Sequence, residues 1–324
     1  MGKGLKGALC GTVYRGQRKR TNARKEVKSL ALASLDELSL YYEVTGKGFP
    51  LVWIHEWGGS FRSWEPQVKF FSRHYQVITY NARGYPPSDV PSEPTAYSQE
   101  HAVEDLYQLL LHLGIKEAYV GGLSMGGTTA LNFGITHPDI ARALIVTSAG
   151  SGTTNRKQFE QETRQLAQQL EKEGVEAVAE LFTRGPTRVQ LQRKDPKSWQ
   201  AFYEDFVLHS ARGLALTLKE VVVKRSTIYA LESELRQLDV PILVMAGDED
   251  DSCIEPAVFM KRNMPKSGLL LFPQSGHLIN LEEPDLFNRA VLDFLISVET
   301  GNWVSRDLQQ VGGSLLFPSG AGAS

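Results

Sequence analysis

Apolar residues follow two rhythms along this chain. Short runs with no charge among their apolar residues occur at Pro50–His55, Tyr75–Tyr80, Ala118–Gly121, Ala143–Thr147, Pro241–Ala246 and Leu269–Phe272. Such runs suit strands buried on both faces. Windows 98–113, 128–136, 256–263 and 284–297 read as helices, with Ser98 as an N-cap and Gly114 just past the first of them. Val27–Ala33 and Leu38–Val44 read as two strands joined by a turn at Asp36-Glu37. This alternation predicts an α/β chain with a doubly wound, mostly parallel sheet covered on both sides.

The rhythm breaks near residue 153. From there to 237 no strand is evident, and four or five helices are predicted, including 155–173, 175–183, 197–210 and 213–224. A helical block between two strand–helix units implies a cap over one end of the sheet. The expected organisation is a core at 28–152 and 231–298, interrupted by a helical cap at 153–230. A basic extension at 1–27 and a Gly/Ser-rich tail at 299–324 flank it, the tail expected to be flexible or loosely docked.

Composition changes that picture little. A length of 324 residues gives a prior of about two domains, which the pattern reduces to one interrupted core. Apolar residues make up 42% and charged residues 22%, which excludes wholesale disorder. The net charge of −2 excludes a bulk polycation made to coat nucleic acid or an anionic membrane. That total hides an asymmetry. Residues 1–28 hold nine Lys/Arg and one acid, a surplus of +8, which leaves −10 for the rest. An arm of this kind fits a disordered extension or an organelle transit peptide, and no secretory signal is evident. The expected location is cytoplasmic, with organelle targeting as the alternative. Cys10 and Cys253 offer neither a disulfide framework nor metal-ligand spacing. Residues 118–138 lack charge but contain five glycines, so no membrane span is expected there. Gly2-Lys3-Gly4-Leu5-Lys6-Gly7 matches a dinucleotide fingerprint only literally, since no strand precedes it.

Candidate chemistry enters at Gly122-Leu123-Ser124-Met125-Gly126, where a strand ends and a helix begins. That context puts Ser124 on a tight nucleophile elbow. A serine hydroxyl needs a base. His277, in a loop just after a buried strand, is the candidate. An orienting carboxylate is expected from Gly247-Asp248-Glu249-Asp250-Asp251, which follows the strand at 241–246. His55-Glu56 begins like a zinc-protease motif, but residue 59 is Gly, so no metal is expected.

With these motifs in the order Ser124, Asp250, His277, the chain resembles the serine α/β-hydrolase superfamily over roughly residues 28–298. Further likenesses are His55 with Gly58-Gly59, Asn81-Ala82-Arg83-Gly84, and Gly276-His277 followed by Asn280-Leu281-Glu282-Glu283-Pro284. The resemblance implies the α/β-hydrolase fold with an inserted helical cap. It selects Asp250 as triad acid, with Asp248 and Asp251 as fallbacks. It also implies an oxyanion hole from the backbone N–H groups of Trp57 and Met125, and no cofactor. The implied activity is cleavage of a carboxylic ester or lactone, esterase- or lactonase-like. Alternatives are carbon–carbon bond hydrolysis of ring-cleavage products, acyl transfer, and a non-catalytic ligand receptor. The sequence departs from the family at Glu56, Asn81 and Pro87, where Gly, Asp and Gly are usual. His55 and Glu56 are further candidates for the substrate pocket. Glu56 is expected to point away from the oxyanion hole, because a carboxylate inside it would oppose catalysis.

Overall fold

Eight strands form one sheet in the order β1-β2-β4-β3-β5-β6-β7-β8. They are β1 (Leu32–Ser34), β2 (Ser39–Thr45), β3 (Phe49–Ile54), β4 (Tyr75–Tyr80), β5 (Ala118–Leu123), β6 (Ala141–Thr147), β7 (Ile242–Gly247) and β8 (Ser267–Phe272). β1–β2 and β2–β4 are antiparallel, and every other pair is parallel. This is an α/β-hydrolase fold, seen here in a computed structural model that describes Met1, residues 31–35 and residues 38–308. The basic arm, Cys10, the turn at Asp36-Glu37, residues 27–30 of the first expected strand and the end of the tail lie outside the described residues.

The central strands alternate between two apolar layers. Val52 and Ile54 of β3 enter one layer with Val120, Val146 and Val244. Leu51 and Trp53 enter the other with Tyr119, Ile145 and Met245. Period-two side-chain alternation explains why these runs carry no polar face. Trp53 stacks on Trp64 with ring centroids 4.5 Å apart. Its ring lies across Gly121, where a Cβ would meet it at 2.2 Å. Among the described residues, no helix is long and apolar enough to cross a membrane. The uncharged stretch 118–138 is instead β5, a turn and a helix.

Helices α1 (Glu65–Phe71), α2 (Gln99–His112) and α3 (Met125–Thr136) link the first strands. Ser98 caps α2 by accepting from the His101 N–H at 3.0 Å. α3 starts three residues before the expected 128, directly after Ser124. Between β6 and β7 the chain runs through α4 (Arg156–Glu173), α5 (Glu176–Thr183), α6 (Val189–Lys194), α7 (Pro196–Phe206) and α8 (Ala211–Leu216). A π-helical segment, Thr217–Val222, follows, and α9 (Glu232–Gln237) leads into β7. The short α6 had no sequence signal. It ends at Asp195, whose side chain caps α7 by accepting from the N–H groups of Lys197 and Ser198.

After β7, α10 (Asp251–Asn263) starts five residues earlier than expected and holds Pro256 inside it. Cys253 therefore lies buried within this helix. α11 (Ile279–Glu282) and α12 (Pro284–Glu299) close the fold. The first residues past α12 are anchored, because the Trp303 indole donates to the Lys266 carbonyl at 2.7 Å and packs edge-on to Phe294.

Candidate active site

Ser124 sits between β5 and α3 with φ 57° and ψ −110°, a conformation a serine adopts only when its surroundings enforce it. Two glycines permit the turn. A Cβ on Gly122 would lie 2.2 Å from the Gly126 carbonyl oxygen, and one on Gly126 would lie 2.1 Å from that of Ile54. Strand, elbow and helix therefore approach backbone to backbone. The Ser124 N–H donates to the Thr147 carbonyl at 2.8 Å, tying the elbow to β6. Met125 opens α3, so its N–H belongs to a first turn that lacks intrahelical partners.

His277 lies in the loop after β8. Its Nδ1 meets the Asp250 Oδ2 at 2.6 Å, and both residues are buried. Nδ1–H donates to that carboxylate, which leaves Nε2 as the basic nitrogen. Nε2 is buried without a protein partner. Burial alone would raise the Asp250 carboxyl. The imidazole beside it and hydrogen bonds from His277, Cys253 and Ser252 outweigh that and hold it below its ordinary value. Asp248 and Asp251 are exposed, and Asp248 accepts instead from the Ser275 N–H.

The loop carrying His277 is held by Glu282. Its two carboxylate oxygens accept from the N–H groups of Gly276 at 2.7 Å and Leu278 at 3.0 Å. From the other side, the His277 N–H donates to the Thr187 carbonyl at 2.6 Å, which joins the helical insertion to this loop.

The loop after β3 is built around His55 and Glu56, both fully buried. His55 Nε2 accepts from the Ala82 N–H at 3.0 Å, so Nδ1 carries the proton and donates to the Glu56 carbonyl at 2.7 Å. Burial pushes this imidazole down to about 4 and keeps it neutral. The Glu56 carboxyl accepts from Ser63 Oγ at 3.2 Å, packs against Gly59, and leaves Oε2 without a partner. Burial pushes it up to about 7. Asn81 holds the next loop, accepting from the Phe61 N–H and donating to the Pro86 carbonyl.

A cavity of about 350 Å³ brings Trp57, Ser124, Met125 and His277 to one wall. Its opposite wall comes from the helical insertion and includes Phe182, Arg188, Leu218 and Val222. His55 and Glu56 do not line it, contrary to the sequence expectation. Their polar atoms are turned into the protein to hold the loop that presents Trp57. Trp57 is itself fixed by donation from its indole to the Leu214 carbonyl at 3.0 Å and by an edge contact with Phe182.

The alpha/beta hydrolase fold family model matches residues 50–284. This chain belongs to that family. Members it is similar to include 3-oxoadipate enol-lactonase 2 of Acinetobacter baylyi, 25% identical over 242 residues that span 74% of this chain and 86% of the lactonase. A thermophilic esterase from Thermogutta terrifontis superposes with a TM-score of 0.74 at 24% identity, covering 83% of this chain and 97% of the esterase. MenH from S. aureus gives 0.73 at 22% identity, covering 80% and 98%. At such identities the two structures establish the shared fold alone.

In this alpha/beta hydrolase, one grouping among the described residues has metal-ligand types close together: Asp250, Cys253 and His277. Its chemistry is that of hydrogen bonding. Nδ1 and Oδ2 are in direct contact at 2.6 Å, and burial raises the Cys253 thiol well above its usual value, with its one S–H shared between Asp250 and the Ser148 carbonyl. A protonated thiol is no ligand. Three contributors carried no recognised signal. Glu282 lies within a family motif but reads as a surface acid, and Thr187 acts through its backbone. Arg188 stands in a helical block with no motif.

Proposed function

We propose that the chain is a serine hydrolase that cleaves a carboxylic ester or lactone through an acyl-enzyme on Ser124. The carrying observation is the Asp250–His277 hydrogen bond, with His277 Nε2 unpartnered on the cavity wall that also holds Ser124. Ser124 Oγ attacks the carbonyl carbon while Nε2 takes its proton. Asp250 fixes the tautomer and stabilises the imidazolium. The backbone N–H groups of Trp57 and Met125 stabilise the tetrahedral oxyanion, each donor contributing about 10²–10³ in kcat. The imidazolium returns the proton to the leaving alkoxide, and the C–O bond breaks. Water, deprotonated by Nε2, then attacks the acyl-enzyme and releases the acid and Ser124. The helical insertion acts as the cap that selects substrates. Relatives named as lactonase and esterase support the reaction class.

The test is treatment with a fluorophosphonate, read by intact mass for the wild type and Ser124→Ala. One adduct on the wild type and none on the variant is expected. An unlabelled wild-type protein overturns the activated serine. Turnover of short aryl esters and enol-lactones to free acid then separates hydrolysis from acyl transfer.

A further inference from the structure

Arg188 lies on the insertion side of the cavity, and no carboxylate among the described residues is in contact with its guanidinium. The guanidinium carbon sits over the Phe182 ring, 4.0 Å from the centroid. Phe182 in turn packs edge-on against Trp57 with centroids 4.6 Å apart. The preceding residue, Thr187, accepts from the His277 N–H. Arg188 is thus tied from two directions to the wall that carries the reacting groups. Its hydrogen bonding is poor: Nε is buried without a partner, and the one hydrogen bond of the guanidinium among the described residues is from Nη1 to Thr187 Oγ1 at 3.4 Å. Among the described residues, no carboxylate forms an ion pair with it.

The neighbouring acids act on it from a distance, and none is in contact with it. Asp250, Glu56 and Glu282 act on Arg188 through space. Asp250 is already bound to His277, and burial pushes both Glu56 and Glu282 up to about 7. A second arginine, Arg225, lines the same cavity. It donates from Nη1 to Thr128 Oγ1 and from Nη2 to the Ser151 carbonyl, both at 3.2 Å, and it also lacks a carboxylate partner among the described residues. The charged group opposing them on the lining is Glu162, which is exposed and bonded to Gln158. Arginine keeps its charge on burial and presents a planar fork suited to a carboxylate. A half-buried guanidinium with no carboxylate in contact gains an ion pair from a ligand that brings one.

We infer that the cavity recognises an ester or lactone whose substrate molecule bears a carboxylate, and that this carboxylate pairs with the Arg188 guanidinium, with Arg225 adding positive potential. The inference rests on the serine-hydrolase reading of the same cavity and names its substrate class.

Two matched pairs of aryl esters test it. Mono-4-nitrophenyl adipate carries the carboxylate on the acyl side, and 4-acetoxybenzoate carries it on the leaving group. Each is compared with its methyl ester. The acid of at least one pair is expected to exceed its methyl ester by tenfold or more in kcat/KM. That ratio is expected to fall at least tenfold in Arg188→Met and to recover in part in Arg188→Lys. A countercharge role toward Asp250 would instead lower acid and methyl ester by the same factor, which overturns the inference. So does the lack of any preference in both pairs. A second readout is independent of Ser124. Adipate, but not 1,6-hexanediol, is expected to raise the Tm of Ser124→Ala, and the rise is expected to vanish in Ser124→Ala/Arg188→Met. An unlabelled serine with an intact adipate shift would sink the hydrolase reading and leave the anion site. A labelled serine with no adipate shift and no acid preference would do the reverse.

Discussion

The two walls of the cavity are made by different means. The wall holding Ser124, Met125, Trp57 and His277 comes from segments that follow strand ends, and Ser124 and His277 are locked there through backbone contacts. Glycines bring β5 and α3 together, Thr147 holds the Ser124 N–H, and Glu282 spans the His277 loop. The facing wall comes from short helices and a π-helical segment, and it presents side chains: Phe182, Arg188, Leu218, Val222 and Arg225. Backbone locking fixes groups that every substrate must meet in the same geometry. Side chains on short helices can be exchanged without disturbing that geometry. The first wall should therefore act on rate and fold, the second on the choice of substrate.

Asp250→Asn tests the first half of that contrast with the largest effect. Loss of the carboxylate removes the charge that fixes the Nδ1–H tautomer and stabilises imidazolium, so kcat should fall by about 10⁴. The fall should be the same for acidic and neutral esters, since Asp250 acts through His277 and lines no part of the cavity. A change in the ratio between substrates would break the division of labour. Steady-state kinetics on both ester pairs reads it directly.

Glycine substitutions compare the walls in stability. In Gly126→Val, the Cβ would lie 2.1 Å from a backbone oxygen of Ile54, which has no room to give. We expect a loss of about 4 kcal/mol or failure to fold. In Gly185→Ala, between α5 and α6, the nearest atom is the Phe182 carbonyl oxygen at 3.3 Å. A loss within about 1 kcal/mol is expected there. Urea midpoints measure both. Equal losses would show that the insertion is as tightly specified as the elbow.

The same contrast explains what the sequence disclosed. β3 through β7 were legible because a strand buried on both faces is apolar throughout, and the half-exposed edge strand β8 because its Leu269–Phe272 run carries no charge. Ser124 was legible because Gly122 and Gly126 have no substitute at their contact distances. His277 was legible from its place after β8, and the family motif pointed from three nearby acids to the one that reaches it. On the insertion side, no spacing rule marks a side chain that faces a cavity, so nothing set apart Arg188, which lies between the expected helices 175–183 and 197–210. α6 escaped notice because six residues show less than two turns of periodicity. α10 was placed too late because Pro256 marks a helix start by propensity, yet here it lies inside the helix. His55 and Glu56 were candidates for the pocket because His55 belongs to the family's motif after β3 and Glu56 departs from it. Adjacent residues in a turn point in different directions, and these two point inward.

Glu56 gives the finest test of the locked wall. Its folded value is raised from 4.5 to about 7, so between those limits the native state binds more protons than the unfolded chain. Stability must then fall as pH rises through that window, and the cost is complete above about 7. His55 does the opposite. Its value drops from 6.5 to about 4, so the unfolded chain binds the extra proton and stability rises with pH over that interval. The two slopes oppose each other where they overlap, and the wild type displays little of either. Glu56→Gln removes one. Relative to the wild type, the variant should gain nothing at pH 4 and up to about 3 kcal/mol at pH 8, and its own stability curve should then show the rise owed to His55. Chemical denaturation at four pH values reads the difference. A flat difference curve would mean that the Glu56 carboxyl is solvated rather than buried, and that the loop presenting Trp57 is looser than its neighbours at Ser124 and His277.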